Sequence, residues 1–469
     1  MDAAGLRKLL DPYNPWWRGD TTWRDALPPY RRPIVARILS DLRDLNQAIS
    51  VTGPRRVGKS TAVRHVISHL LTEEKLDPAR LLYFTLDDPG IFASKGLQGT
   101  IFDLLVEQFA TTSETTYFFL DEIQRLPQWE LYIKKYYDLK YPVRFIVSGS
   151  ASSPIFRKSQ ESLLGRIKDR HLLPFSFREY CEYRLQKQPA FAQILHEERD
   201  LRPALLAGEG MAAAESLRRL DERIRPFQRD IDCAVIDYCR EGGFPEVWEL
   251  SDPVRKIEYL MEQQVRKVLF EDLAALVSYR KPENVLRFFV YLLANPGAEI
   301  NITTVAREAG VTTTVVGDNL PRLEMTDLIT RVPRFHYKPL RVRQGNMKCY
   351  PVDMALRNAV LKTWVVPDQQ TMGLYAENLV IRELQTWPEA IEITYFRQKD
   401  LEVDFVVTHG GQRYLPIEVK LGAGTGIPRG LKAFMRKYRL DLGLVIGRDP
   451  EIRFDEVLYC PLRHFLLVS

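Results

Sequence analysis

Residues 53–60, Gly-Pro-Arg-Arg-Val-Gly-Lys-Ser, fit the pattern G-x-x-x-x-G-K-[ST], and that pattern restricts the local fold severely. A loop of this kind works only between a strand and a helix, because its backbone N–H groups must wrap phosphates while the helix N-terminus adds positive potential. The flanks comply. Residues 48–52, Ala-Ile-Ser-Val-Thr, read as a short buried strand, and Ser60 to Leu71 reads as a helix with Val63, Val66, Ile67 and Leu70 on its apolar stripe. The expected ligand is ATP with Mg²⁺, bound by Gly53, Pro54, Arg55, Arg56, Val57, Gly58, Lys59, Ser60 and Thr61. Within that set Lys59 reaches the β- and γ-phosphates and the Ser60 hydroxyl ligates the metal.

The chain that follows supplies further strands of an α/β sheet. Leu81 to Leu86 is one, ending in Asp87-Asp88-Pro89, and a helix is expected from about Leu97 to Phe109. Tyr117-Phe118-Phe119-Leu120 then delivers Asp121-Glu122, the Walker B pattern. Asp121 is placed to serve the metal, and Glu122 to orient or deprotonate the attacking water. A small-molecule phosphotransferase has little use for that second carboxylate, so hydrolysis is the better reading. Val143 to Val147 ends in Ser148-Gly149-Ser150, where Ser148 suits a sensor of the γ-phosphate. Arg166, after Leu163-Leu164-Gly165, is the candidate arginine finger for a neighbouring subunit's ATP, with Arg170 in reserve. The plainer alternative for Arg166 is a surface arginine paired with a carboxylate.

Together the phosphate loop, Asp121-Glu122-Ile123-Gln124, Ser148-Gly149-Ser150, Gly165-Arg166 and residues 174–180 (Pro-Phe-Ser-Phe-Arg-Glu-Tyr) resemble a prokaryotic AAA-type ATPase family whose C-terminal domain has long been of unknown function. Asn14-Pro15-Trp16-Trp17 and Gly242-Gly243-Phe244-Pro245-Glu246 match it as well, so the resemblance spans nearly the whole chain. It implies ATP hydrolysis in a homo-oligomer, a hexameric ring being one form. It does not fix the substrate.

At 469 residues the chain is too long for one core. A net charge of +5 permits nucleic acid without requiring it. No apolar run is long enough to span a membrane, and five cysteines without a C-x-x-C pair read as reduced thiols of a cytoplasmic protein. Residues 1–35 hold eight Pro and Trp residues, too irregular for a helix and too aromatic for a free tail. They are expected to lie across the nucleotide-binding domain or a neighbouring subunit.

Residues 181–272 read as a helical lid, interrupted by a tight turn at Gly242 to Pro245. From Ile302 the pattern becomes that of a winged helix-turn-helix. Thr303 or Thr304 caps a short helix closed by Gly310, and a second helix runs from about Thr312 to Met325, with Pro321 bending it. A basic hairpin follows, carrying Arg331, Arg334, His336, Lys338, Arg341, Arg343 and Lys348. The second helix is poor in base-reading side chains, so contact with DNA phosphates is expected rather than sequence readout, a protein-contact module being the alternative.

The last stretch carries a second constellation. Glu377 near a helix start, Asp404 in a strand-like run, then Glu418-Val419-Lys420 follow the arrangement of PD-(D/E)XK nucleases. Asp404 and Glu418 would hold Mg²⁺ while Lys420 positions a metal-activated water. Val403 stands where the family's name has proline. Arg429, Lys432 and Arg436 share one face of a later helix, a second positive surface.

The resulting expectation is an α/β protein: an arm (1–35), a P-loop AAA-type ATPase core (36–180), a helical lid (181–272), a winged helix-turn-helix (273–352) and a restriction-endonuclease-like domain (353–469). Its expected work is ATP-driven remodelling or translocation of DNA, branched or broken DNA being candidates, recognised by structure rather than sequence. The rival is an ATP-gated switch or scaffold with an idle nuclease-like domain.

Overall fold

The computed structural model describes residues 3–93, 97–110, 114–150, 163–185, 188–197, 200–273, 281–337, 346–368, 371–411, 413–422, 426–448 and 451–468. It divides into two compact units, Met1–Leu173 and Pro174–Ser469.

The first unit is built on five parallel strands: β1 (Ala48–Thr52), β2 (Leu81–Thr85), β3 (Thr116–Asp121), β4 (Val143–Ser148) and β5 (Ile167–His171), ordered β2-β3-β4-β1-β5. Strands covered on both faces are predominantly apolar, which is why β1 to β4 stand out as largely hydrophobic runs. β5 does not. Its Ile-Lys-Asp-Arg-His lies at the sheet edge without one fully buried residue, and periodicity gives no hint of it. Polar bonds tie it in: Ser50 Oγ donates to Asp169 at 2.6 Å, and Thr52 Oγ1 does so at 3.1 Å. The helix after the phosphate loop runs Lys59–Thr72.

The N-terminal arm does include a helix, Ala3–Leu10, followed by single 3₁₀ turns around the prolines. It lies on its own unit, along β2 at the opposite sheet edge. Asn14 accepts from the Tyr83 N–H at 2.7 Å and donates to the Tyr83 carbonyl at 2.9 Å, while Trp16 and Trp17 both donate to the Leu81 carbonyl at 3.0 Å. An open strand edge invites pairing with other chains. Here side chains of the arm occupy it.

The second unit begins with helices. Phe177–Arg184 starts on a capping box, Ser176 accepting from the Glu179 N–H and Glu179 from the Ser176 N–H. Ile302–Ala309 and Thr313–Met325 form the expected helix pair, and β6 (Ile329–Pro333) with β7 (Met347–Pro351) the antiparallel hairpin. The first helix is capped by Asn301, whose side chain accepts from the Thr304 N–H at 3.0 Å, and not by Thr303 or Thr304. Lys338, Arg341 and Arg343 lie outside the described residues.

A second sheet completes this unit: β8 (Ile391–Gln398), β9 (Leu401–His409), β10 (Arg413–Val419), β11 (Gly443–Gly447) and β12 (Val457–Pro461), ordered β12-β11-β10-β9-β8. β8 to β10 run antiparallel and β10 to β12 parallel, with the helix Arg429–Tyr438 joining β10 to β11. That helix presses on β9 so closely that a Cβ on Gly430 would sit 1.8 Å from the Glu402 carbonyl oxygen. Among the described residues no helix is long and apolar enough to cross a membrane.

Candidate functional site

The phosphate loop leaves the end of β1 between two constraints. Gly53 has φ +145°, and a Cβ there would meet the Leu172 carbonyl oxygen at 1.9 Å, so only glycine fits. Arg32, buried, donates to the Val57 carbonyl at 2.9 Å and to the Leu173 carbonyl at 3.1 Å, bracing the loop from outside. Lys59 Nζ donates to the carbonyls of Gly53 (3.0 Å) and Pro54 (2.6 Å), lying along the loop that it would leave to meet phosphates.

Beside the loop, one carboxylate gathers four donors. Asp121 accepts from Ser60 Oγ at 2.5 Å, Tyr83 Oη at 3.0 Å, Ser148 Oγ and the Glu122 N–H at 3.0 Å. A hydroxyl and a carboxylate side by side are the hard oxygen donors that suit Mg²⁺, so Ser60 and Asp121 fit the metal expected here. Ser148 is buried with its hydroxyl turned to Asp121. Glu122 follows with φ +52°, a left-handed backbone rare outside glycine and concentrated at functional sites. Burial raises its pKa, with the charge of Asp121 adding to the shift, and Gln124 donates to its carboxylate.

In the second unit Glu377, Asp404 and Glu418 lie on the helix Thr371–Leu384, β9 and β10, near enough for their charges to act on one another. Burial, then the Asp404 charge, pushes Glu377 up to about 7 and Glu418 up to about 8, and burial raises Asp404. Lys420 is exposed just past β10. The cation actually among the carboxylates is Lys348, 5% exposed along its side chain, with Nζ 2.6 Å from Glu402 and 3.7 Å from Asp404. Lys348 is therefore no part of a basic hairpin surface. Arg331 pairs with Glu324 and Arg334 donates to the Arg397 carbonyl, so these two are committed internally as well. The helix Arg429–Tyr438 keeps its charge outward: none of Arg429, Lys432, Arg436 or Lys437 pairs with a carboxylate among the described residues.

Residues 45–181 match a family model described as an AAA domain. This segment is similar to AAA domains, and it holds the phosphate loop on a parallel sheet. Two models described as domains of unknown function match later segments, DUF8612 over 234–364 and DUF4143 over 372–465. The chain is similar to two uncharacterized proteins of Methanocaldococcus jannaschii. One is 23% identical over 432 residues, covering 91% of this chain and 85% of the relative. The other is 22% identical over 409 residues, covering 84% and 79%. A solved structure of a Thermotoga maritima RuvB mutant, 15% identical, covers 74% of this chain and 92% of its own, but a TM-score of 0.27 is too low to bear on fold or function.

Arg166 lies just before β5, where its carbonyl accepts from the Ala48 N–H at 2.9 Å. β5 runs parallel to β1, and the phosphate loop leaves the other end of β1, so a five-residue strand separates them, roughly 16 Å at the usual rise. Arg166 thus stands at the far end of the sheet from its own chain's phosphate loop, paired with Asp138 at 2.8 Å. Arg170 makes two 2.6 Å bonds to the buried Asp41. Two contributors to the phosphate-loop site, Arg32 and Tyr83, carried no motif. Each acts from a distant part of the chain, and the one faint signal was the polar tyrosine inside an apolar strand.

Proposed function

We propose that the chain is an ATPase whose turnover is coupled to DNA, working as a homo-oligomer in the reducing cytoplasm, where its free cysteines belong. The observation that carries the ATPase part is the Ser60–Asp121–Glu122 arrangement beside the phosphate loop. Ser60 and Asp121 would hold Mg²⁺, which supplies charge neutralisation at the phosphates. Glu122, its proton affinity raised by burial, takes the proton of the attacking water. Lys59 exchanges its loop carbonyls for phosphate oxygens.

The DNA part rests on the positive face of Arg429–Tyr438, since exposed arginines and lysines that pair with no carboxylate among the described residues suit phosphate contact. We further propose a winged helix-turn-helix and a restriction-endonuclease-like domain in the second unit. They draw support from the helix pair with its hairpin, and from a mixed sheet crossed by a basic helix. ATP hydrolysis measured with duplex, single-stranded and branched DNA tests the coupling. At least one form is expected to raise the rate several-fold, with the gain lost as salt rises. A rate that none of them changes would favour the second reading, an ATP-gated scaffold for a protein partner. That reading has its own support in the internal commitment of Arg331, Arg334 and Lys348.

Arg166 is assigned to a neighbouring subunit's ATP. Its distance from its own loop leaves no role in cis, and a solvent-facing pair with Asp138 holds it by little. Mixing Arg166→Ala chains with wild type is expected to depress activity below the wild-type share. Simple additivity would remove the trans role.

A further inference from the structure

The expectation for the second unit is a metal clamp between Asp404 and Glu418, and the residues present do not fit one. Both Asp404 oxygens face protein groups rather than open space: Oδ2 accepts the Val419 N–H at 2.9 Å, and Oδ1 lies 3.7 Å from the Lys348 ammonium. Glu402 accepts the same ammonium at 2.6 Å and lies 3.7 Å from Arg397 Nε. Glu377 accepts from Tyr350 Oη at 3.1 Å. Among the described residues, no group of three or more His, Cys, Asp or Glu side chains is placed to hold a metal ion.

Strand geometry explains why a lysine is there. Lys348 and Tyr350 stand two apart on β7, so both project from one face of that strand, and that face meets the carboxylates. Lys348 contributes the ammonium and Tyr350 a hydroxyl to Glu377. A buried ammonium costs several kcal/mol of desolvation unless several carboxylates compensate it, and buried carboxylates need a cation equally. Here Lys348 answers Glu402 and Asp404, while Glu418 Oε2 is buried without a hydrogen-bond partner among the described residues.

We infer that Lys348 is the resident cation of the Glu377–Glu402–Asp404–Glu418 cluster, occupying the role a nuclease gives to a divalent ion, and that this domain as folded takes up no such ion and cuts no DNA. The inference does not depend on DNA binding, so it stands or falls separately from the proposed function.

The test uses the full chain with Asp121→Asn, which removes the carboxylate beside Ser60, titrated with Mn²⁺ in the absence of nucleotide and read by the paramagnetic resonance of the free ion. The parent chain is expected to show no uptake that depends on Asp404. Adding Lys348→Met is expected to create a site at least tenfold tighter, abolished again by Asp404→Asn, and to make the melting temperature rise with Mn²⁺. A folded Lys348→Met chain that gains no affinity overturns the inference. Should Lys348→Met not fold, the parent chain decides: Mn²⁺ uptake or Mn²⁺-dependent nicking that Asp404→Asn abolishes overturns the inference, and the absence of both upholds it.

Discussion

Replacing Glu122 with glutamine is expected to cut ATP turnover by about 10²–10⁴-fold, the range removed with a positioned general base, while ATP binding is retained. Glutamine keeps the shape and the bond from Gln124 but can no longer accept a proton. The phosphate contacts belong to the loop and Lys59, which the substitution does not touch. Lys59→Ala should behave differently, losing binding together with turnover. Wild-type turnover carries a further signature. Burial and the neighbouring Asp121 raise the pKa of Glu122, so its carboxylate is protonated at a higher pH than an ordinary glutamate. The acid side of the rate profile is therefore expected to fall off above the usual carboxylate range. A glutamine variant that keeps more than a tenth of the wild-type rate would show that Glu122 does not carry the proton. Equilibrium binding of labelled ATP, with single-turnover hydrolysis on the same preparation, separates the two variants.

The parts of this site that were legible in sequence are those confined to one local segment. The phosphate loop, Asp121-Glu122 and the strand ends need only a few adjacent residues, and local chemistry dictates them. What escaped was set by pairing across the chain. Arg32 braces Val57 from 25 residues upstream, and Tyr83 reaches Asp121 from a neighbouring strand. β5 is held by its edge position and by Ser50 and Thr52, so its own residues carry no strand pattern. Lys348 looked like part of a basic surface because alternation along β7 tells which residues share a face but not which face is buried. The arm was expected to lie across its own domain or a neighbouring subunit, and the target of Trp16 and Trp17, the Leu81 carbonyl at an open strand edge, is a feature of the assembled sheet.

Asp353→Ala is expected to destabilise the second unit by about 2–5 kcal/mol, combining loss of a helix cap with a buried N–H left without a partner. The Gly242-Gly243 turn was legible in sequence, but its partner lies 110 residues away. Asp353 Oδ1 accepts from the Ala355 N–H at 2.8 Å, starting the helix Met354–Val360, and Oδ2 accepts from the Gly243 N–H at 2.6 Å. The turn cannot retreat to find other partners. A Cβ on Gly242 would meet Asp353 Oδ1 at 2.0 Å, one on Gly243 would meet the Phe175 carbonyl oxygen at 2.2 Å, and the Gly243 carbonyl accepts the Phe175 N–H at 2.8 Å. Gly243 is buried, so its N–H loses its carboxylate partner away from bulk solvent. Asp353→Asn should cost less than alanine, because its amide oxygen can still serve one of the two donors. Denaturant unfolding followed through Trp248, whose indole donates to the Gly242 carbonyl at 2.9 Å, reports on the turn itself. An alanine variant within about 0.5 kcal/mol of wild type, the usual range for a neutral surface change, would mean that the turn and the helix are held by packing alone.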